Sequence, residues 1–360
     1  MSNDPAIDVI EAFITEARES YKEHRWQKSA TTAASAVQAA KTTKDPFMIL
    51  RALYFHRRAL WMMADFSAAL VLDTESLAVA EQYASSTRIG GRNGAWYIAQ
   101  ARANWVQDIL AQTSDPEKLR QLLEVIDDGE RWLVARGFPA WRSGLLLHRS
   151  RVLSRIGEND KAIDAAEEAL QLAERLADDD PSYTIGDHKV TLAGYLRTAK
   201  RESDAAAIYQ SLLDNPHSAT YERVHSHYNL GEIALDEGRV EDGLRHATQA
   251  VEIAEHDEDY LVVCNAMYTL VRALQLAKDM DKAHQAAIRY EERARASRSS
   301  SKLYFALRSR FDVEFALGNR EQAKDMLPEL EKIATALDRE EGKAIKATDV
   351  ARRYERMADQ

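Results

Sequence analysis

The sequence predicts an all-α protein built as an α-solenoid, in which about eight antiparallel helix pairs are followed by a C-terminal capping helix. Three observations support this fold class. The 360 residues include only seven prolines and fourteen glycines, and long runs of Ala, Leu, Glu, Gln and Arg favour helix. No stretch of alternating β-branched residues is long enough to predict a strand. One helical phrase recurs about every 40 residues, which is typical of a repeat array.

Each copy of this phrase begins with a turn, continues with polar residues, and reaches a small residue five positions after the turn. The small residues are Ser29, Ala69, Ala162, Ala205, Gly243, Ala283 and Ala323. A weaker copy places Leu119 at the equivalent position. Because small residues let two helices approach closely, we expect each copy to begin the second helix of a pair.

The first helix begins near Asn3 or Asp4, either of which can cap it, with Pro5 in its first turn. Two pairs then lead to a break at 83–95, whose Gly and Ser content is that of a loop. A second break of loop composition, at 176–188, follows the fourth pair. Both breaks lengthen the local spacing of the phrase, and we expect neither to end the array.

The array is expected to span residues 5–340, and the break at 83–95 would divide it into sub-arrays 5–85 and 92–340. Residues 343–358 predict one further helix, charged except for a stripe of residues spaced three or four apart. The stripe consists of Ala347, Val350, Tyr354 and Met357. Such a helix shields the apolar face of the last repeat from water, so we interpret it as a cap.

The sixth pair shows most clearly what the glycines do. Gly231 lies within the first helix, and Gly243, Ala247 and Ala250 share one face of the second helix. These small residues predict a close contact between the two helices, while Gly238 predicts the tight turn that joins them. Glycine in a helix costs about 0.5–1 kcal/mol relative to alanine, so packing has to offset that cost.

Composition excludes several classes of protein. The formal net charge of −10 argues against a general nucleic-acid binder, which usually has a strongly basic face. No run of 18 apolar residues would span a membrane, and the first residues lack the features of a secretion signal. Cys264 is the only cysteine, which fits a reducing cytoplasm. We therefore expect a cytoplasmic protein without membrane or nucleic-acid partners, and the sequence leaves a homo-oligomer open.

No pattern in the sequence predicts catalysis. The glycine-rich segment 88–94 lacks the Gly-Lys-Ser/Thr of a phosphate-binding loop. His225 and His227 would point about 200° apart on a helix, so they do not predict a metal site. Cys264 has no Cys or His at catalytic spacing, which favours a structural thiol. We expect no enzyme activity, no metal and no cofactor.

Residues 224–257 resemble one repeat of the tetratricopeptide repeat family. The matching residues are Leu230, Gly231, Ala234, Gly238, Gly243, Ala247 and Ala250. The resemblance covers roughly residues 5–340 and is strongest over 143–300. The usual period is about 34 residues, whereas most steps here are 38 to 43 residues, as in long-helix variants of bacterial regulators. Arg57 and Phe311 depart from the pattern, because they stand where the family has a small residue.

The resemblance implies a right-handed superhelix whose concave groove is lined by the first helix of each pair. The candidate ligand-binding residues that it implies are Arg18, Tyr21, Arg51, Tyr54, Arg58, Trp61, Asn104, His148, Arg151, Arg155, Arg197, Tyr228, Asn229, Asn265 and Arg272. It also directs inward Lys22, Asp108, Glu232, Tyr268, Arg308 and Asp312. Asn229 is the most specific match, since the family often uses asparagine at its position to bind the ligand's main chain.

Two functions stay open. The first is a non-enzymatic adaptor whose groove binds an extended segment of a partner protein. Arginines concentrated in the first five repeats, and six tryptophans within the first 141 residues, suit an acidic segment. A neutral or mixed peptide is the alternative, with the arginines paired to glutamates of neighbouring repeats. The second function is a ligand-responsive regulator that binds a signalling peptide or a small anion and acts on a partner protein.

Overall fold

The chain divides into two units, residues 1–183 and 184–360. This computed structural model describes residues 5–23, 25–63, 65–83, 94–179, 185–255, 260–297, 299–341 and 344–358. The boundary between the units falls within the predicted break at 176–188. Most of the predicted break at 83–95, including nearly all of the glycine-rich segment 88–94, lies outside the described residues.

The described part of the chain is helical and contains no strand, as the sequence predicted. The helices of the first unit are α1 (Pro5–Lys22), α2 (Trp26–Thr43), α3 (Pro46–Met62), α4 (Phe66–Gln82), α5 (Gly94–Gln112), α6 (Pro116–Val134), α7 (Pro139–Arg155) and α8 (Asn159–Asp179). Those of the second unit are α9 (Gly186–Thr198), α10 (Glu202–Leu213), α11 (Thr220–Asp236), α12 (Val240–Glu255), α13 (Tyr260–Leu276), α14 (Met280–Ala296), α15 (Ser300–Ala316), α16 (Arg320–Glu341) and α17 (Ile345–Ala358). Within the described residues, eight helix pairs and one further helix confirm the predicted α-solenoid class.

Consecutive helices pack against each other within each unit, and first helices of successive pairs also touch. In the first unit α1 contacts α3, and α5 contacts α7. In the second unit α9, α11, α13 and α15 form a continuous row of contacts. Side chains from neighbouring pairs can therefore meet on one surface of each row.

The seven small residues of the recurring phrase are all buried in the second helices of their pairs. Ser29 is the one member with a polar side chain, and its hydroxyl donates a hydrogen bond of 2.9 Å to the carbonyl of Ala17 in the paired helix. This burial confirms the packing role predicted for the phrase. It also explains why seven of the eight copies have Ala, Gly or Ser at this position.

A residue with positive φ precedes the second helix in each of the last five pairs. These residues are Gly157, Lys200, Gly238, Lys278 and Gly318, with φ between 61° and 86°. The sequence predicted such a turn at Gly238, but lysine adopts the same conformation at two of the five turns. At Lys200 the turn closes through a 2.8 Å bond from the Arg201 N–H to the Leu196 carbonyl, so backbone hydrogen bonds stabilise a conformation that glycine adopts more easily.

Arg57, which departs from the repeat pattern, is buried in the first unit at 7% exposure. Its guanidinium donates to Asp73 of α4 at 3.3 Å and to Asp108 of α5 at 2.7 Å. Gln107 accepts a further bond of 3.0 Å. An arginine fits where the pattern has a small residue because neighbouring helices supply side-chain oxygens that accept hydrogen bonds from its buried guanidinium. Asp108 was implied as a groove residue and instead belongs to this cluster.

Phe311, the other departure, is completely buried beneath α17. The guanidinium of Arg353 lies 5.6 Å from its ring centroid and pairs with Asp312 and Asp349, each at 2.6 Å. The predicted capping helix thus covers the last pair. The prediction that Tyr354 belongs to the buried stripe of this helix was wrong, because Tyr354 is 39% exposed. The neighbouring Arg353 is buried instead, at 4% exposure.

Cys264 is buried, as predicted for a structural thiol. None of the described helices combines the length and the apolar character that a bilayer crossing requires.

Gly231→Leu is expected to lower the free energy of unfolding by about 1–3 kcal/mol, as overpacking does. A Cβ at Gly231 would lie 3.2 Å from Thr269 Cγ2 and 3.3 Å from the Gly243 carbonyl oxygen. Gly144→Leu is the matched control, because a Cβ there meets nothing within 4 Å. Denaturant unfolding followed by circular dichroism measures both variants. Equal stabilities for the two would contradict the close contact at Gly231.

Asp73→Asn is expected to become more stable relative to wild type as pH rises from 5 to 8. Burial raises the pKa of the Asp73 carboxyl to about 8, despite the opposing effect of Arg57. Between its ordinary value and that value the folded chain keeps a proton that the unfolded chain releases, so wild-type stability falls as pH rises. The difference should change by at least about 1 kcal/mol, since one pKa unit corresponds to about 1.4 kcal/mol. A constant difference across this range, measured by urea unfolding, would contradict a protonated Asp73.

Candidate functional site

The first helices of the second unit line an open cavity of about 410 Å³. Its lining residues are Arg197, Tyr228, Asn229, Glu232, Asn265, Tyr268, Thr269, Tyr290, Lys302 and Phe305. All except Tyr290 come from α9, α11, α13 and α15, the row of mutually contacting first helices. The structure therefore brings together Arg197, Tyr228, Asn229 and Asn265, four residues that the sequence predicted at a ligand site.

Aromatic side chains form the apolar part of this cavity. The rings of Tyr268 and Phe305 meet edge to face with centroids 6.2 Å apart. Tyr290 lies beneath them at 1% exposure, within the core that α11, α13 and α15 share. Aromatic rings supply a large contact area with few rotatable bonds, so this part of the cavity can hold an apolar side chain.

A chain of hydrogen bonds crosses the cavity from α11 to α15. The Tyr228 hydroxyl lies 2.8 Å from His225 Nδ1, and Asn265 Nδ2 donates to the same hydroxyl at 3.4 Å. The Lys302 ammonium donates to Asn265 Oδ1. Burial raises the pKa of Tyr228 to about 12, so its phenol is neutral at physiological pH. These bonds fix the orientation of the Asn265 amide.

The second asparagine, Asn229, is oriented from both ends of its amide. Arg197 Nη1 donates to Asn229 Oδ1 at 2.9 Å, and Asn229 Nδ2 donates to the His225 carbonyl at 2.9 Å. A side-chain amide held in this way presents a donor and an acceptor at fixed positions. Both asparagines are thus placed at the cavity with defined geometry.

Charges at the cavity compensate one another. Glu232, whose side chain is 8% exposed, accepts a bond of 2.5 Å from Arg272 and lies 3.6 Å from Arg197. Asp236 lies 2.6 Å from Arg272 and 3.9 Å from Arg197. Two arginines are therefore matched by two carboxylates, and Lys302 adds one positive charge. Arg272, which the sequence predicted at the site, is outside the cavity lining and forms an ion pair with Glu232, which belongs to the lining.

The residues predicted in α1 and α3 form contacts within the first unit. The Arg58 guanidinium lies 4.3 Å from the Tyr21 ring centroid and donates to the Tyr54 hydroxyl at 3.3 Å. The remaining contacts are the ion pairs Arg51–Glu11 and Arg18–Glu19 and the edge-to-face contact of Trp61 with Phe66. These arginines are matched by carboxylates or rings of the same helix array.

The residues predicted in α5 and α7 are likewise distributed among internal contacts. Arg155 donates to the carbonyls of Leu110 and Thr113 at the end of α5, the latter at 3.1 Å. Arg151 Nη1 lies 3.5 Å from His148 Nδ1. Asn104 lines a recess of only about 10 Å³, which is barely enough to hold one water molecule.

The structure adds Lys302 and Phe305 of α15 to the site, which the sequence missed. The repeat pattern implied Arg308 and Asp312 instead, but Arg308 lies 3.5 Å from Asp349 of α17 and Asp312 pairs with Arg353. The pattern failed here because Phe311 replaces the small residue that sets the register of α15. Lys302 and Phe305 lie one or two turns earlier on the same helix.

The two adjacent histidines have separate partners. His225 lies beside Tyr228, whereas His227 Nδ1 lies 3.1 Å from His246 Nδ1 of α12. Burial lowers the pKa of His227 to about 4, so the ring is neutral at physiological pH. No cluster of three metal-ligating side chains occurs in the part of the chain that the structure describes.

Comparison with known protein families gives no match to any family model. A comparison with curated protein sequences likewise gives no match.

Solved structures do resemble this chain. The apo form of the quorum sensor NprR from B. thuringiensis has a TM-score of 0.55 at 14% identity, covering 99% of both chains. A Rap protein complexed with competence and sporulation factor has a TM-score of 0.54 at 12% identity, covering 97% of this chain and 99% of that one. A signal-transduction ATPase with a tetratricopeptide repeat sensor, from Pyrococcus horikoshii, has a TM-score of 0.56 at 11% identity, covering 91% and 52%. The likeness shows a fold of the tetratricopeptide repeat type.

Arg272→Met is expected to lower the free energy of unfolding by about 1–2 kcal/mol, because the nearly buried Glu232 loses a charged hydrogen-bond partner. The double variant Arg272→Met/Glu232→Leu should recover part of this loss, since it also removes the carboxylate left behind. Urea unfolding of both single variants and the double variant measures the coupling. If the stability losses of the two single variants add up to the loss of the double variant, a direct interaction between these two side chains is contradicted.

Proposed function

We propose that this protein is a non-enzymatic, peptide-binding adaptor of the cytoplasm, and that the cavity between α9, α11, α13 and α15 holds part of an extended peptide. The observation that carries the proposal is the pairing of an aromatic pocket with two oriented amides, Asn229 and Asn265. Amides can bond the main chain of any extended segment, while the pocket selects a side chain.

The charges favour a peptide of mixed character over a uniformly acidic one. Glu232 and Asp236 pair with Arg197 and Arg272, two arginines of the predicted groove that would otherwise attract an acidic segment. Lys302, which donates to Asn265 Oδ1, places a further positive charge in the cavity lining and can attract one carboxylate. We therefore assign the cavity to an apolar or aromatic side chain with a carboxylate nearby in the peptide.

Two of the similar solved structures support this class of ligand. One of those proteins is described as a quorum sensor, and the other is complexed with competence and sporulation factor. Because this chain shares their fold, a peptide is the first class of ligand to test for binding to it.

A ligand-responsive regulator is the second candidate. The ion pairs from Glu232 to Arg197 and Arg272 join α9, α11 and α13. A ligand carboxylate that took over one arginine would change the contacts between these three helices. The regulator and the adaptor share the binding site and differ in whether binding alters the helix array.

The test starts from a peptide selected with the intact chain from a randomised, extended-peptide library. Asn265→Ala and Lys302→Gln should each weaken its binding about tenfold or more, which corresponds to about 1.4 kcal/mol. Lys282→Gln is the matched control, because Lys282 is an exposed lysine of α14 paired only at the surface with Asp279. Fluorescence anisotropy of the labelled peptide gives the dissociation constants. Affinities within twofold of wild type for both cavity variants would overturn the assignment.

A further inference from the structure

The third helix pair departs from the close packing of the others. α5 contacts α4 far more extensively than it contacts its own partner α6. This is the pair whose recurring phrase has Leu119, buried at 1% exposure, where the other seven copies have a small residue. A leucine at that position prevents the close approach that alanine or glycine allows.

The separation leaves a cavity of about 340 Å³ between residues 99–106 of α5 and residues 125–133 of α6. Its wall is mainly apolar and includes Ala99, Ala103, Trp105, Val106, Leu133 and Leu145. Gly129 lies in the wall as well, without a side chain to occupy the space. The volume falls within the range of about 300–1,000 Å³ typical of small-molecule sites.

Two charged residues complete the lining, Arg102 and Asp128. Asp128 is ion-paired with Arg131 of its own helix. Arg102 stands over the ring of Trp132 at 4.9 Å from the centroid, and its guanidinium lies 3.7 Å from the nearby carboxylate of Glu81, longer than a hydrogen bond. Both members of that pair are well exposed, so it contributes little. The guanidinium can therefore exchange Glu81 for a ligand carboxylate.

We propose that this cavity binds a small amphiphile that consists of an apolar chain or ring and a single carboxylate. The apolar body displaces water from a wall that offers it few hydrogen bonds. The carboxylate pairs with Arg102 at the mouth, where a planar guanidinium can donate two parallel bonds. The site lies in the first unit, whereas the peptide cavity lies in the second.

Three ligands of equal chain length test the proposal: decanoate, decanol and decylammonium. Titration of the intact chain, followed by tryptophan fluorescence and by the shift in melting temperature, should give saturable binding in the order decanoate, decanol, decylammonium. Trp105→Phe should reduce the fluorescence change and leave the thermal shift, because Trp105 lines the cavity. Absence of saturation, or tightest binding of decylammonium, would overturn the proposal.

Two variants test whether the three ligands bind in this cavity. Ala103→Leu fills the cavity and should weaken all three ligands at least tenfold. Arg102→Gln should abolish the preference for decanoate over decanol and leave decanol binding unchanged. Arg120→Gln, at an exposed arginine of α6 paired with Glu117, is the control and should change neither. If Ala103→Leu does not fold, the relative affinities of Arg102→Gln for decanoate and decanol decide whether the ligands bind at this site.

Other occupants of the cavity give different results. Displacement of decanoate by the peptide that binds the second unit would mean that a partner's side chain fills the cavity. A dimer in sedimentation that Ala103→Leu converts to a monomer would mean that a second copy fills it. Either result would overturn the small-molecule assignment while leaving the peptide proposal to its own test.

Discussion

Close approach of paired helices at small residues is the constraint on which this structure depends. Seven second helices bury Ala, Gly or Ser at the same position of the repeat. A Cβ at Gly231 or Gly243 of the sixth pair would lie closer to its neighbours than ordinary van der Waals contact. In the second unit the first helices of successive pairs also touch. These contacts form the row of α9, α11, α13 and α15, and the cavity in this row brings together side chains that are distant in sequence.

Departures from this constraint have local and different consequences. Arg57 occupies a small-residue position because Asp73 and Asp108 accept hydrogen bonds from its buried guanidinium. Phe311 occupies another because α17 covers it. Leu119 has no such compensation, and its pair separates instead. A substitution at the helix contact is therefore absorbed by new partners, by an added helix, or by a cavity.

The sequence was sufficient for the helix pairs, because the spacing of small residues is a direct consequence of packing. It also placed Arg197, Tyr228, Asn229 and Asn265 at one surface, since the sixth pair fits the repeat pattern well. Two kinds of feature could not be read from it. Partners of individual arginines depend on side chains tens of residues away, as between Arg272 and Glu232. The register of α15 depends on Phe311, whose burial beneath α17 is a tertiary effect, so Lys302 and Phe305 were missed.

The central claim is that the row of first helices in the second unit positions two amides and an aromatic pocket for an extended peptide. A crystal structure of the intact chain with a selected peptide tests it most directly. The account predicts main-chain bonds from the peptide to Asn229 and Asn265, and a peptide side chain between Tyr268 and Phe305. A peptide bound on another surface, with this cavity unchanged, would contradict it.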